Sequence, residues 1–180
     1  MPSDVLYEER VSSRFTTALF WGLTLLFAGL SAWRLTSGSS PALIALLICF
    51  SALLLFYSVN YKMLVIRLTP DDLKLIFGVF AWTVPLDTVE ACGLDDPPVF
   101  LKYGGAGIHF MFVRGRYRAS FNFLEHPRVV IALAKRRGPV RDVSFSTRRP
   151  DQVIRLLQAA LSARGAAYPL TRAQEGHQDH

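Results

Sequence analysis

From Phe15 to Trp33 the chain carries no charged residue, and from Leu35 to Tyr61 it again carries none. Arg34 alone separates the two runs. A helix crosses the hydrocarbon core of a bilayer with about 20 mostly apolar residues. Both runs reach that length, so the chain reads as an integral membrane protein with two closely spaced spans. Its 180 residues leave room for one modest domain beside such an anchor.

The spans are expected at about 15–33 and 41–59, within a hairpin covering 15–61. Thr36-Ser37-Gly38-Ser39-Ser40-Pro41 supplies small polar residues and helix breakers for a tight turn. A signal peptide is the rival reading. The first apolar stretch is too long for one, its N-terminal flank is not basic, and a second span follows at once. Trp33, Tyr57 and Tyr61 fall near the span ends, where amphipathic rings favour the interface.

Charge divides along the same line. Residues 1–61 carry three basic and three acidic residues, whereas 62–180 carry 17 basic and 11 acidic, the whole excess of +6. Arg10 and Arg14 precede the first span and Lys62 and Arg67 follow the second, against Arg34 alone at the turn. The positive-inside bias therefore expects both termini in the cytoplasm, in a cell inner (cytoplasmic) membrane, with residues 1–14 as an N-terminal tail. Neither run holds an acidic residue, a histidine or a lysine. Proton and ion routes need such groups, so the spans read as an anchor or packing surface. Ala28-Gly29 and Ser31-Ala32 offer a small-residue face for packing.

After Tyr61 the apolar pattern changes from continuous to alternating. Leu64, Ile66 and Leu68 share one strand face; Thr69-Pro70-Asp71-Asp72 makes a turn; Leu73, Leu75 and Phe77 alternate again. Phe80, Trp82, Val84 and Leu86 form a third run, and Val89 to Cys92 a shorter one. Asp95-Asp96-Pro97-Pro98 opens an irregular stretch ending in Gly104-Gly105-Ala106-Gly107. Ile108, Phe110 and Phe112 then alternate, followed by Tyr117, Ala119, Phe121 and Phe123 around the tip Arg114-Gly115-Arg116. Val129, Ile131 and Leu133 precede the turn at 135–139, and Val143 and Phe145 end the series. About seven short strands imply a sandwich or barrel.

The last element differs. Pro150 and Asp151 suit a helix start. Val153, Leu157 and Leu161 recur every four residues, and Gly165 stops the helix, expected at about 150–164. Residues 62–165 thus form one domain, with 166–180 as a polar, disordered tail.

Strands followed by one closing helix is the element order of the pleckstrin-homology superfold. Leu68-Thr69-Pro70-Asp71-Asp72-Leu73-Lys74-Leu75-Ile76-Phe77-Gly78 resembles the first hairpin of bacterial PH-like domains. Thr83-Val84-Pro85-Leu86-Asp87-Thr88-Val89 resembles the strand that follows it there. Tyr103-Gly104-Gly105-Ala106-Gly107-Ile108, and Phe145-Ser146-Thr147 leading to Pro150-Asp151, are similar to segments of small membrane-anchored PH-like proteins of bacteria. The resemblance covers residues 60–164 and the hairpin before them. It implies a transmembrane hairpin followed by a mainly-β PH-like barrel capped by a C-terminal helix. It implies no activity, because fold does not fix function.

Catalytic and cofactor chemistry is not indicated. His109 and Cys92 are isolated, and His177 and His180 lie in the tail, so no zinc spacing occurs. Cys49 and Cys92 fall in different parts of the chain and imply no disulfide. Ser120 and Ser144 lack a histidine–acid context. The 104–107 glycines lack the lysine and helix of a phosphate loop. The expected function is a non-enzymatic binding module without cofactor. Arg114, Arg116, Arg118, Lys135, Arg136, Arg137, Arg148 and Arg149 cluster at turns, where cations suit an anionic lipid headgroup or an acidic protein face. A solvated basic surface is the plain alternative, and nucleic acid is not expected beside a bilayer. The second functional reading is an accessory or assembly subunit of a larger membrane protein complex, held through its spans.

Overall fold

A computed structural model describes residues 5–38, 40–95, 107–134 and 138–163. The element order is β1 (Tyr7–Val11), α1 (Arg14–Thr36), α2 (Pro41–Asn60), β2 (Leu64–Leu68), β3 (Asp72–Phe77), β4 (Phe80–Pro85), β5 (Val89–Leu94), β6 (Gly107–Val113), β7 (Arg116–Asn122), β8 (Arg128–Leu133), β9 (Asp142–Ser146) and α3 (Pro150–Ser162). A single 3-10 turn, Leu86–Thr88, joins β4 to β5.

Helices α1 and α2 pack as an antiparallel hairpin, and both are long and apolar enough to cross a membrane. Ser13 and Ser40 cap their N-termini through their side chains, and Pro41 occupies the first turn of α2. The hairpin is not a soluble core: Leu25, Leu35 and Val59 are each more than 60% exposed. Between the helices lie the ring pairs Phe20–Tyr57 and Phe27–Phe50 and a set of small polar side chains. Thr24 and Ser58 hydroxyls meet at 3.3 Å, and the Ser51 hydroxyl donates to the Thr24 carbonyl at 3.4 Å. Such pairs hold helices together where burial of apolar surface supplies no drive.

The strands form two sheets, ordered β1-β2-β3-β4 and β5-β8-β9-β7-β6. Their alternating apolar faces meet in one core. Leu64, Ile66, Leu68, Leu73, Leu75 and Phe77 come from the first sheet, and Ala119, Phe121, Phe123, Val129, Ile131, Val143 and Phe145 from the second. Val153, Leu157 and Leu161 of α3 complete it, as their spacing predicts. Helix α3 packs against β5, β8 and the Leu86–Thr88 turn.

Three features differ from the sequence expectation. The described residues contain nine strands, and the sheets do not close into a barrel. Pro85 ends β4 without an N–H to continue a ladder, and the chain turns there into the other sheet. Second, β7 and β9 pair in parallel, with Ala119 opposite Val143 and Phe121 opposite Phe145. The second half is therefore not a simple succession of antiparallel hairpins. Third, part of the stretch read as an N-terminal tail is a strand. β1 pairs antiparallel with β2 from Tyr7–Leu68 to Val11–Leu64, so the helical hairpin is an insertion between two paired strands. The expected tail at 166–180 and most of the irregular stretch before Gly107 lie outside the described residues.

Candidate functional site

The hairpin and the sheets meet through short connections: Ser12 and Ser13 on one side, Tyr61 to Met63 on the other. Asn60 ends α2 with its amide donating to the Phe56 carbonyl at 2.9 Å. The amide oxygen of Asn60 accepts the Val79 N–H at 3.1 Å. Gly78 between β3 and β4 adopts φ +59°, and a Cβ there would lie 2.6 Å from the Asn60 carbonyl oxygen. Only glycine permits both that backbone and that approach. Tyr61 stacks on Tyr57 at 5.0 Å and meets Phe77 at 5.0 Å; Phe77 meets Phe123 at 5.2 Å. A row of rings thus runs from α2 into the core, which fixes the domain to the hairpin.

The first connection is held from the far end of the chain. Glu9 on β1 accepts the hydroxyl of Thr147, the N–H of Arg148 at 2.9 Å and the hydroxyl of Tyr7 at 2.8 Å. Arg148 donates to the Ser12 carbonyl at 3.4 Å, and an imidazole nitrogen of His126 lies 3.2 Å from the same oxygen. The entry to α3 is therefore tied to the start of α1.

The eight cations singled out from the sequence fall into three groups. Arg114, with φ +50°, is exposed at the β6–β7 tip. Gly107 opens β6 against the Tyr61 ring, so six residues of extended strand carry this tip away from the hairpin. Arg116 and Arg118 lie on β7 beside Arg114, but their charges are used internally. Arg118 is buried and bonds Asp95 at 2.7 Å and Asp142 at 3.4 Å, while Arg116 bonds Asp142 at 2.8 Å. Burial holds Arg128, on β8, below the usual arginine range, with Arg118 adding to that and Asp95 opposing it. Arg118, expected among the exposed loop cations, is instead buried with its guanidinium turned into a pair of carboxylates. Its place on a strand gave no warning, because an outward polar residue is normal in alternating sequence. Asp95 and Asp142 are the residues that sequence reasoning missed. Lys135, Arg136 and Arg137 lie outside the described residues.

Arg148 and Arg149 form the third group. Both are exposed, and Arg149 caps α3 with its N–H bonded to the Thr147 hydroxyl at 3.1 Å. The contact with Ser12 sets them at the hairpin end of the domain, where Arg14 and Lys62 are also exposed. Glu9 is the acid that faces them.

The half-buried Cys92 and the buried Tyr7 contribute to stability at alkaline pH. Burial pushes the Cys92 thiol from 9.0 up to about 11. Burial, reinforced by Glu9, pushes the Tyr7 hydroxyl from 10.0 up to about 12. Both groups ionise first in the unfolded chain, which then binds fewer protons than the folded one. Their contribution to stability is therefore present below pH 9 and is lost as pH rises through 9 to 12. Thermal unfolding against pH should show this loss, and Cys92→Ala should remove its lower part. An unchanged profile in that variant would contradict the assignment.

The fold and rim together define a class of protein: two long apolar helices inserted into a two-sheet domain closed by a helix. No family model matches the chain, and no curated protein or solved structure compared with it matches either.

Proposed function

We propose that the chain is a membrane-anchored, non-enzymatic module whose PH-like domain docks an anionic lipid headgroup at the cytoplasmic surface of the membrane that α1 and α2 cross. The observation that carries the reading is the contact between Arg148 and Ser12, two residues ahead of the first helix. Arg148, Arg149, Arg14 and Lys62 then ring the mouth of the hairpin, at the level where phosphates of a bilayer lie. A cation beside an anionic leaflet contributes about 1 kcal/mol. The PH-like assignment draws on the strand runs, the closing helix and the 68–78 hairpin motif. Four basic residues flanking the two helices, Arg10, Arg14, Lys62 and Arg67, against Arg34 alone at the turn, support termini in the cytoplasm of a bacterial cell.

The test is the lipid retained by full-length protein purified in mild detergent, read by native mass spectrometry. Wild type and Arg114→Gln should retain phosphatidylglycerol. Arg148→Gln combined with Arg149→Gln should lose roughly tenfold or more of it, given about 1 kcal/mol for each cation. Equal retention in all three proteins would refute headgroup docking.

A second reading has its own observation. An open groove along the hairpin is lined by the small residues Ala28, Ser31, Ala32, Ser51 and Ala52 together with Leu35, Ile48 and Leu55, and the small residues permit close approach of another helix. An accessory or assembly subunit of a membrane complex would keep a membrane protein, in place of lipid, through the same purification in every variant.

A further inference from the structure

The turn between β3 and β4 is apolar where a turn is normally polar. The turn is Gly78-Val79 and Phe80 opens β4 beside it, with Val79 72% exposed and Phe80 42% exposed. Two large apolar side chains at the tip of a hairpin have no role in the core that Phe77 and Val84 already fill.

The position of this tip is set by α2. The Val79 N–H is bound by Asn60, the last residue of the helix, and Gly78 lies against the Asn60 backbone. The Phe80 ring meets Phe56 edge-on at 6.4 Å and Tyr61 at 6.4 Å. Phe56 lies four residues before Asn60, about 6 Å further along the helix axis. Phe80 therefore sits level with the last turn of α2, beside side chains that face outward: Phe56 is 44% and Val59 62% exposed. Met63, 39% exposed, and the exposed Lys62 follow on the same connection. The exposed Phe56 ring of the helix thus meets the exposed Phe80 ring beside the tip, and the exposed Lys62 follows α2 in the chain.

We propose that Val79 and Phe80 insert into the interfacial layer of the bilayer that α2 crosses, as a third point of attachment beside the two helices. The partner is the lipid itself, at the level of the glycerol backbone and first methylenes, where an aromatic ring beside a lysine is favoured. The inference rests on α1 and α2 being membrane spans. Two helices alone leave the molecule, hairpin and domain together, free to tilt in the bilayer. A third contact, at the junction that Asn60 fixes, holds it at one angle and keeps the Arg148 side at the headgroups.

The experiment uses full-length protein with Cys49→Ala and Cys92→Ala, reconstituted in vesicles of phosphatidylcholine and phosphatidylglycerol. A nitroxide is attached at Val79→Cys, at Leu53→Cys within α2, or at Arg114→Cys on the distal tip. Collision with oxygen, which concentrates in lipid, is compared with collision with a water-soluble nickel chelate. The Val79 label should fall between the other two, with an oxygen-to-nickel ratio severalfold above that at Arg114 and below that at Leu53, which lies deeper along α2. A Val79 label as open to nickel as the Arg114 label, with Leu53 in lipid, would overturn the insertion and leave the spans standing. A Leu53 label open to nickel would overturn the spans and the insertion together. Val79 is exposed, so the label displaces no core side chain.

Discussion

Residues 62–163 expressed alone should fail to form the two-sheet domain, whereas residues 5–12 joined to 61–163 by a short Gly-Asn turn should form it without the helices. The reason is β1. It places Tyr7 and Val11 in the core and pairs with every residue of β2. Burying two such side chains contributes roughly 1.5–3 kcal/mol each, and each ladder hydrogen bond about 1 kcal/mol net. Glu9 adds two hydrogen bonds at the entry to α3, from Thr147 and Arg148, and a third within β1 from Tyr7. Losing all of this removes an amount comparable with the whole stability of a small domain, about 5–15 kcal/mol. It also bares β2, whose Leu64, Ile66 and Leu68 alternate along a now unpaired edge, a template for aggregation. The turn can replace the helices because Val11 and Leu64 are already partners across the ladder. Circular dichroism and size-exclusion chromatography of the two chains decide the matter. Equal folding would show that β1 is dispensable.

Leu157→Ala should be the most damaging single substitution in α3. Leu157 is wholly buried, between Val153 and Leu161 on the face that meets β5 and β8. Truncating such a leucine costs about 2–5 kcal/mol, because the transfer energy is lost and a cavity remains. Arg155, exposed two residues earlier on the same helix, gives the control. Gln158 is a poorer one, since it is half-buried. Pulse proteolysis of full-length protein in mild detergent, across a urea series, should move the Leu157→Ala midpoint far below wild type and leave Arg155→Ala within about 0.5 kcal/mol. Equal small effects would mean that α3 is not packed on the sheets.

Long-range partners explain where the sequence reading stopped. The strand at Ile108 to Phe112 was readable from its alternation, yet Phe110 and Phe112 are 50% and 71% exposed. Alternation reports which side chains share a face, and β6 lies at the edge of its sheet, where that face is only partly covered. The basic residues around the 114–118 hairpin tip look alike in sequence. Only the positions of Asp95 and Asp142 separate Arg118, buried in ion pairs, from Arg114, free at the tip.

What the sequence determined by itself are the properties set by near neighbours. Unbroken apolar runs of span length give α1 and α2; a period of two gives β2, β3 and β7; a period of four gives the buried face of α3. Capping serines and Pro41 mark where the helices begin. Each depends on backbone geometry over a few residues, which the order of side chains encodes directly. Tertiary structure alone decided the rest. The Tyr7–Val11 strand is too short and too charged to announce itself, with Glu8, Glu9 and Arg10 at its centre. It is a strand because β2 offers a free edge beside it once the helices fold back. The parallel β7–β9 pair and the contact of Arg148 with Ser12 likewise join residues 24 and 136 positions apart. Pairings at that separation are set by how the two sheets stack, and no local pattern carries them.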